Sequence, residues 1–124
     1  MTWDQIGRNT RKAAQLLKDA DLRSCVSRSY YAAFSVLNQR LLRHERPPRL
    51  YETHSHRHIP DLIEVHLLPR NAQARRSLRT TVVRLYNARL DADYRLSRTV
   101  DQAVALNALR DVKSIFQVLG VSDA

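Results

Sequence analysis

His54, His56 and His58 alternate along one polar stretch that also holds Arg49. Imidazole titrates near neutrality and binds zinc or nickel as a neutral ligand. In extended chain the three rings share one face, which makes a zinc or nickel site conceivable. In a helix only His54 and His58 align. No cysteine lies nearby, and His66 falls beside Ile59, Leu62 and Ile63, where partial burial is expected. Structural zinc usually takes four well-spaced ligands. No metal and no cofactor are therefore expected.

Arginine is the other chemistry-bearing type. The chain has eighteen Arg and three Lys, a formal charge of +9 and a pI near 10.6. Arg presents a rigid fork to phosphate and stacks on bases. A GC-rich genome would give the same Arg bias, but the net charge attracts polyanions whatever its origin. Residues 70–84 include Arg75, Arg76 and Arg79 and no acid. Such a run is either a solvated helix face or a phosphate contact. Arg89 ends the apolar stripe Leu78, Val82, Leu85. A buried Arg needs a carboxylate, and Asp93 lies four residues on. An internal Arg89–Asp93–Tyr94 network is favoured over a direct phosphate contact, and the two are compatible if the junction shapes a cleft.

These side chains need a scaffold, and composition restricts which one. Two glycines, Gly7 and Gly120, are too few for a β-rich fold or a Gly-rich phosphate loop. The single cysteine, Cys25, excludes an internal disulfide framework and a Cys-based zinc site. No apolar run approaches a membrane span, and the start lacks the hydrophobic region of a signal peptide. One all-α domain over residues 1–124, cytoplasmic and without membrane contact, is the expectation.

Hydrophobic periodicity divides that domain into helices. Thr2-x-x-Gln5 has the form of a capping box and predicts a first helix to about Ala20, with Ile6, Ala13, Leu16 and Leu17 inward. Asp19 or Asp21 then caps a second helix to about His44. Its stripe is Val26, Tyr30, Phe34, Leu37 and Leu41. Pro47 and Pro48 open a loop over residues 46–59. A short helix follows from Pro60 to Leu68. Asn71 caps the next helix. Thr99-x-x-Gln102 is a second box before the last, which turns Val104, Leu109, Val112, Ile115, Phe116 and Leu119 inward and stops at Gly120. Tyr30 and Tyr31 point about 100° apart, so Tyr30 joins the core while Tyr31 faces a neighbouring helix, a subunit or a cleft. Arg28, beside the stripe, is expected to pair or to face a groove. Short connections between amphipathic helices predict an up-and-down bundle of four to five helices.

Two segments carry a resemblance. SRSYYAAFSVLNQRLL, residues 27–42, resembles the second-helix signature of HEPN-domain proteins, an Arg-x-Tyr-Tyr-Ala-x-Phe run followed by small and leucine residues. ARLDADY, residues 88–94, resembles the Arg-x-x-Ala-Asp-Tyr element of one HEPN branch, which also tends to carry a Ser-His pair like Ser55-His56. The resemblance implies a HEPN bundle, usually a homodimer. It implies a metal-independent endoribonuclease or toxin, often paired with a minimal nucleotidyltransferase as antitoxin, or a binding adaptor that has lost catalysis.

Active members of that family use an Arg, four to six residues and a His, with two copies meeting across the dimer. Arg49 with His54, or with His56, satisfies this spacing. Metal-free RNA cleavage needs a base for the 2′-hydroxyl proton, a cation for the phosphate and an acid for the leaving oxygen, roles that Arg and His can fill. By order along the chain Arg89 matches the family position better, yet no His follows it. The catalytic expectation is Arg49, His54 and His56. The expectation for RNA contact is Arg75, Arg76, Arg79, Arg28 and Arg89.

Overall fold

Thr2 accepts a hydrogen bond from the Gln5 N–H at 3.1 Å, while the Gln5 side chain accepts from the Thr2 N–H at 2.7 Å. This reciprocal cap starts α1 (Trp3–Leu16). In the computed structural model the described residues are 2–42 and 71–122. Arg49, His54, His56, His58, the 46–59 loop and the short helix expected after Pro60 lie outside them.

Four helices make up the described residues: α1, α2 (Leu22–Leu42), α3 (Ala72–Asp93) and α4 (Gln102–Leu119). Side-chain pairs fix their directions. Asp4 at the start of α1 bonds Arg40 near the end of α2. Ser27 near the start of α2 bonds Asp93 at the end of α3. Arg40 also reaches the Leu119 carbonyl at the end of α4. The helices therefore run up, down, up and down, and the architecture is an all-α bundle.

The core follows from the stripes. Val26, Tyr30, Phe34 and Leu37 of α2 are buried with Leu78, Val82 and Leu85 of α3 and Val112, Ile115, Phe116 and Leu119 of α4. Helix α2 packs against all three others. Its approach to α1 is close because Gly7 lacks a side chain. A Cβ there would stand 2.7 Å from Val36 Cγ1 and 3.1 Å from the Ala32 carbonyl oxygen. Cys25 is fully buried, and burial pushes its thiol pKa up, which favours the unreactive protonated form.

Two boundaries correct the sequence expectation. Helix α1 stops at Leu16, not near Ala20, and turns carry the chain to α2. Leu16 is consequently 83 % exposed rather than inward, while Leu17 packs against the core as expected. Helix α4 is capped by Asp101, whose carboxylate accepts from the Val104 N–H at 3.0 Å, and not by Thr99. With Asp101 as cap, Val100 and Ala105 take the two positions of a hydrophobic staple; Ala105 belongs to the core cluster and Val100 packs against it. The other caps stand as predicted: Asp21 accepts from the Ser24 N–H, Asn71 from the Ala74 N–H, and Gly120 ends α4 at φ 72°.

Candidate functional site

Ser27 and Tyr31 are four apart on α2, as are Arg89 and Asp93 on α3, so each pair shares a helix face. The antiparallel packing of α2 on α3 brings the two faces together. Arg89 is only 6 % exposed. Its Nε donates to Asp93 Oδ2 at 3.1 Å, and its Nη2 donates to the Tyr31 hydroxyl at 2.6 Å and the Tyr94 hydroxyl at 3.3 Å. Ser27 Oγ donates to the same Asp93 oxygen at 3.0 Å. The guanidinium carbon lies 5.7, 5.2 and 5.1 Å from the ring centres of Tyr30, Tyr31 and Tyr94. One carboxylate, two phenols and three ring faces thus surround one buried cation.

The electrostatics follow from this enclosure. Burial works against the Arg89 charge, but Tyr31, Tyr94 and Asp93 together outweigh it, and its pKa lies above the usual arginine value. Burial also pushes the Tyr30 phenol well up, so it stays neutral at any physiological pH. Neither residue is poised for proton transfer near neutrality. The junction is built to hold a permanent cation. Tyr94, the C-cap of α3, is 68 % exposed and forms the solvent side of the cluster. The expected Arg89–Asp93–Tyr94 network is present, with Tyr31 and Ser27 added from α2.

Arg23 makes the same junction rigid. It donates to the Asp91 carbonyl at 2.8 Å, the Ala92 carbonyl at 3.1 Å, the Leu96 carbonyl at 3.3 Å and the Arg98 carbonyl. The last carbonyls of a helix have no partner within it, and Arg23 supplies one from the neighbouring helix. Nothing in the sequence marked Arg23, because its targets are backbone atoms and carry no residue signature.

The basic run forms a separate surface at the other end of α3. Arg76 is exposed, and Arg75 and Arg79 are half-buried. Gln73, Arg76, Ser77, Thr80 and Thr81 line a shallow groove along this face. Arg84, from the same run, stays exposed but is engaged by a carboxylate. Its Nε and Nη2 grip the buried Asp111 at 3.0 and 2.7 Å in a two-pronged pair, which raises the Arg84 pKa. Arg28 is exposed near the start of α2, at the Arg89 end of the bundle. Arg79 and Arg89 stand ten residues apart, about 15 Å along the helix axis. The five arginines named from the sequence therefore divide into two groups, Arg75, Arg76 and Arg79 in one, Arg28 and Arg89 in the other.

No helix among the described residues is long and apolar enough to cross a membrane. Comparison with curated proteins and with solved structures finds no match. The HEPN domain family, in contrast, matches residues 3–121, from the first residue of α1 to just past the Gly120 cap of α4. Both segments that meet around Arg89 lie within that match, and the chain belongs to the HEPN-domain family.

Proposed function

We propose that this HEPN protein binds RNA, with the phosphate backbone lying along the first half of α3. The observation that carries this reading is the absence of any acid from residue 71 to 90 on a helix that carries Arg75, Arg76 and Arg79 within about one turn, with Arg76 exposed. Among the described residues, the groove beside Arg76 is lined by Gln73, Ser77, Thr80 and Thr81. The formal charge of +9 adds long-range attraction. Binding of a fluorescent single-stranded RNA to the intact chain and to Arg76→Gln tests it. Several-fold weaker binding by the variant is expected, and equal binding would remove the basis for the reading.

In its catalytic form the reading makes the protein the ribonuclease or toxin component of a prokaryotic toxin–antitoxin or defence system. It would act as a homodimer with a minimal nucleotidyltransferase as antitoxin. Cleavage is then assigned to Arg49 with His54 or His56, without metal. RNA incubated in EDTA with the intact chain should be cut, and RNA incubated with Arg49→Ala should not.

A non-catalytic reading has its own support. Arg89, the arginine that matches the family position by order, is engaged by Asp93, Tyr31 and Tyr94, and no histidine follows His66 in the chain. Under this reading the bundle is a nucleotide- or nucleic-acid-binding adaptor for a nucleotidyltransferase or effector. RNA binding without cleavage in the same assay favours it.

A further inference from the structure

Among the described residues the exposed large hydrophobics are Leu16, Tyr94, Leu96 and Leu106, and of these only Tyr94 is aromatic. Single exposed apolar residues are ordinary, but Tyr94 is also held in place. Its hydroxyl accepts from Arg89 Nη2 at 3.3 Å, and the Arg89 guanidinium carbon lies 5.1 Å from its ring centre. Arg89 is itself fixed by Asp93 and Tyr31. The ring thus has a cation against it on the inner side and solvent over the rest. A ligand that packs on a ring already held in one orientation orders little on binding.

The placement of the ring matters as much. Tyr94 stands eighteen residues after Arg76, about five full turns and about 27 Å along the axis of α3. Both positions therefore lie on the same side of the helix. Thr80, Arg84 and Asn87 are exposed between them on that side. The groove beside Arg76 and the ring of Tyr94 are the two ends of one solvent-facing line. Their chemistries differ. The last turn of α3 carries Asp91, engaged by Arg95, and Asp93, engaged by Arg89 and Ser27. Carboxylates there disfavour a phosphate, but they do not disfavour the neutral face of a base.

We infer that Tyr94 stacks on an unpaired base of a single-stranded RNA. The inference rests on the RNA reading above and narrows its ligand. A base stacked within a duplex has no free face to offer the ring, whereas the bases of a single strand can splay onto aromatic side chains. Every base has such a face, so the contact selects an unpaired strand rather than a sequence.

Fluorescence anisotropy of the full chain with a labelled single-stranded RNA of about twelve nucleotides, beside the same sequence as a duplex, tests the contact. The parent should bind the single strand more tightly than the duplex. Tyr94→Ala should weaken single-strand binding about tenfold. Tyr94→Phe keeps the ring and should stay within about twofold of the parent. Stacking releases no counterions, so Tyr94→Ala should keep the parent's salt slope, while Arg76→Gln should flatten it. Tyr94→Ala also removes a partner of Arg89, and the duplex controls for that: a loosened fold weakens both RNAs, a lost stack only the single strand. The inference is overturned by a parent that prefers the duplex or by equal single-strand binding in parent and Tyr94→Ala. It is overturned as well by a loss in Tyr94→Phe as large as in Tyr94→Ala, or by an equal loss on the duplex. The two ideas can fail separately. Weaker binding by Arg76→Gln but not by Tyr94→Ala removes the stack alone. Weaker binding by Tyr94→Ala but not by Arg76→Gln removes the backbone contact and leaves the stack. A parent that binds no RNA removes both.

Discussion

Arg89 Nε donates to Asp93 Oδ2 at 3.1 Å across one turn of α3, and the same oxygen accepts from Ser27 Oγ of α2. That shared oxygen joins the two segments by which the family is recognised. Removing the carboxylate leaves a nearly buried guanidinium with only phenols and ring faces around it. The Asp93 side chain is 27 % exposed, so water offsets part of the loss. Asp93→Ala should lower stability by about 1–3 kcal/mol. Tyr31→Phe should cost about 1 kcal/mol. In urea denaturation the double variant should lose less than the sum of the singles, because both partners act on Arg89. Strict additivity would show that the cluster is not one network.

Arg23 holds four carbonyls around the end of α3. Arg23→Ala leaves those acceptors to water and should cost about 1–3 kcal/mol. Arg23→Lys keeps the charge but lacks the fork, and should restore little. The loss should be local as well as global. Amide hydrogen exchange over residues 92–99 should accelerate more than exchange in the middle of α2. Uniform acceleration would mean that Arg23 does not organise this junction.

Gly7 sets the distance between α1 and α2. Alanine is favoured over glycine in a helix by about 1 kcal/mol. Against that, the new Cβ would stand 2.7 Å from Val36 Cγ1, and overpacking costs typically about 1–3 kcal/mol. Val36 is fully buried and β-branched, with little room to move. A net loss of about 1 kcal/mol is expected for Gly7→Ala in thermal or urea denaturation. A gain would show that α1 shifts freely on α2.

Asp21 accepts from both the N–H and the hydroxyl of Ser24 at the start of α2. These bonds hold its carboxyl pKa below the ordinary value. A lowered folded-state pKa gives stability that is fully present above the unfolded value, about 3.9, and is lost as pH falls through the folded value. The stability difference between the parent and Asp21→Ala should therefore be constant near neutrality and shrink on acidification below about pH 4. A difference that holds its neutral value at pH 2 would contradict this.

Much of this architecture is visible in the residues themselves. The Val26, Tyr30, Phe34, Leu37 stripe, the caps at Thr2, Asn71 and Gly120, and the Arg89–Asp93–Tyr94 cluster all follow local rules of three- and four-residue spacing or turn chemistry. What escaped depends on chain that meets only in space. Arg84 and Asp111 lie on different helices, and nothing local pairs them. Arg23 answers to backbone carbonyls, and Gly7 answers to Val36 of another helix. Where two local rules competed, packing decided. Thr99 and Asp101 are both competent caps, and Asp101 prevails with Val100 against the core. Leu16 suits an inward position only if α1 continues, and it does not.

Salt tests the central claim most directly, because phosphate contacts release counterions. For single-stranded RNA the slope of log affinity against log salt concentration is about −0.7 per contact. Arg75→Gln/Arg76→Gln/Arg79→Gln, with helix content matched to the parent by circular dichroism, removes three proposed contacts. The account predicts a steep negative slope for the parent and a slope shallower by about 2 in the variant. A parent whose RNA affinity does not change with salt, or a variant with the parent's slope, would contradict it.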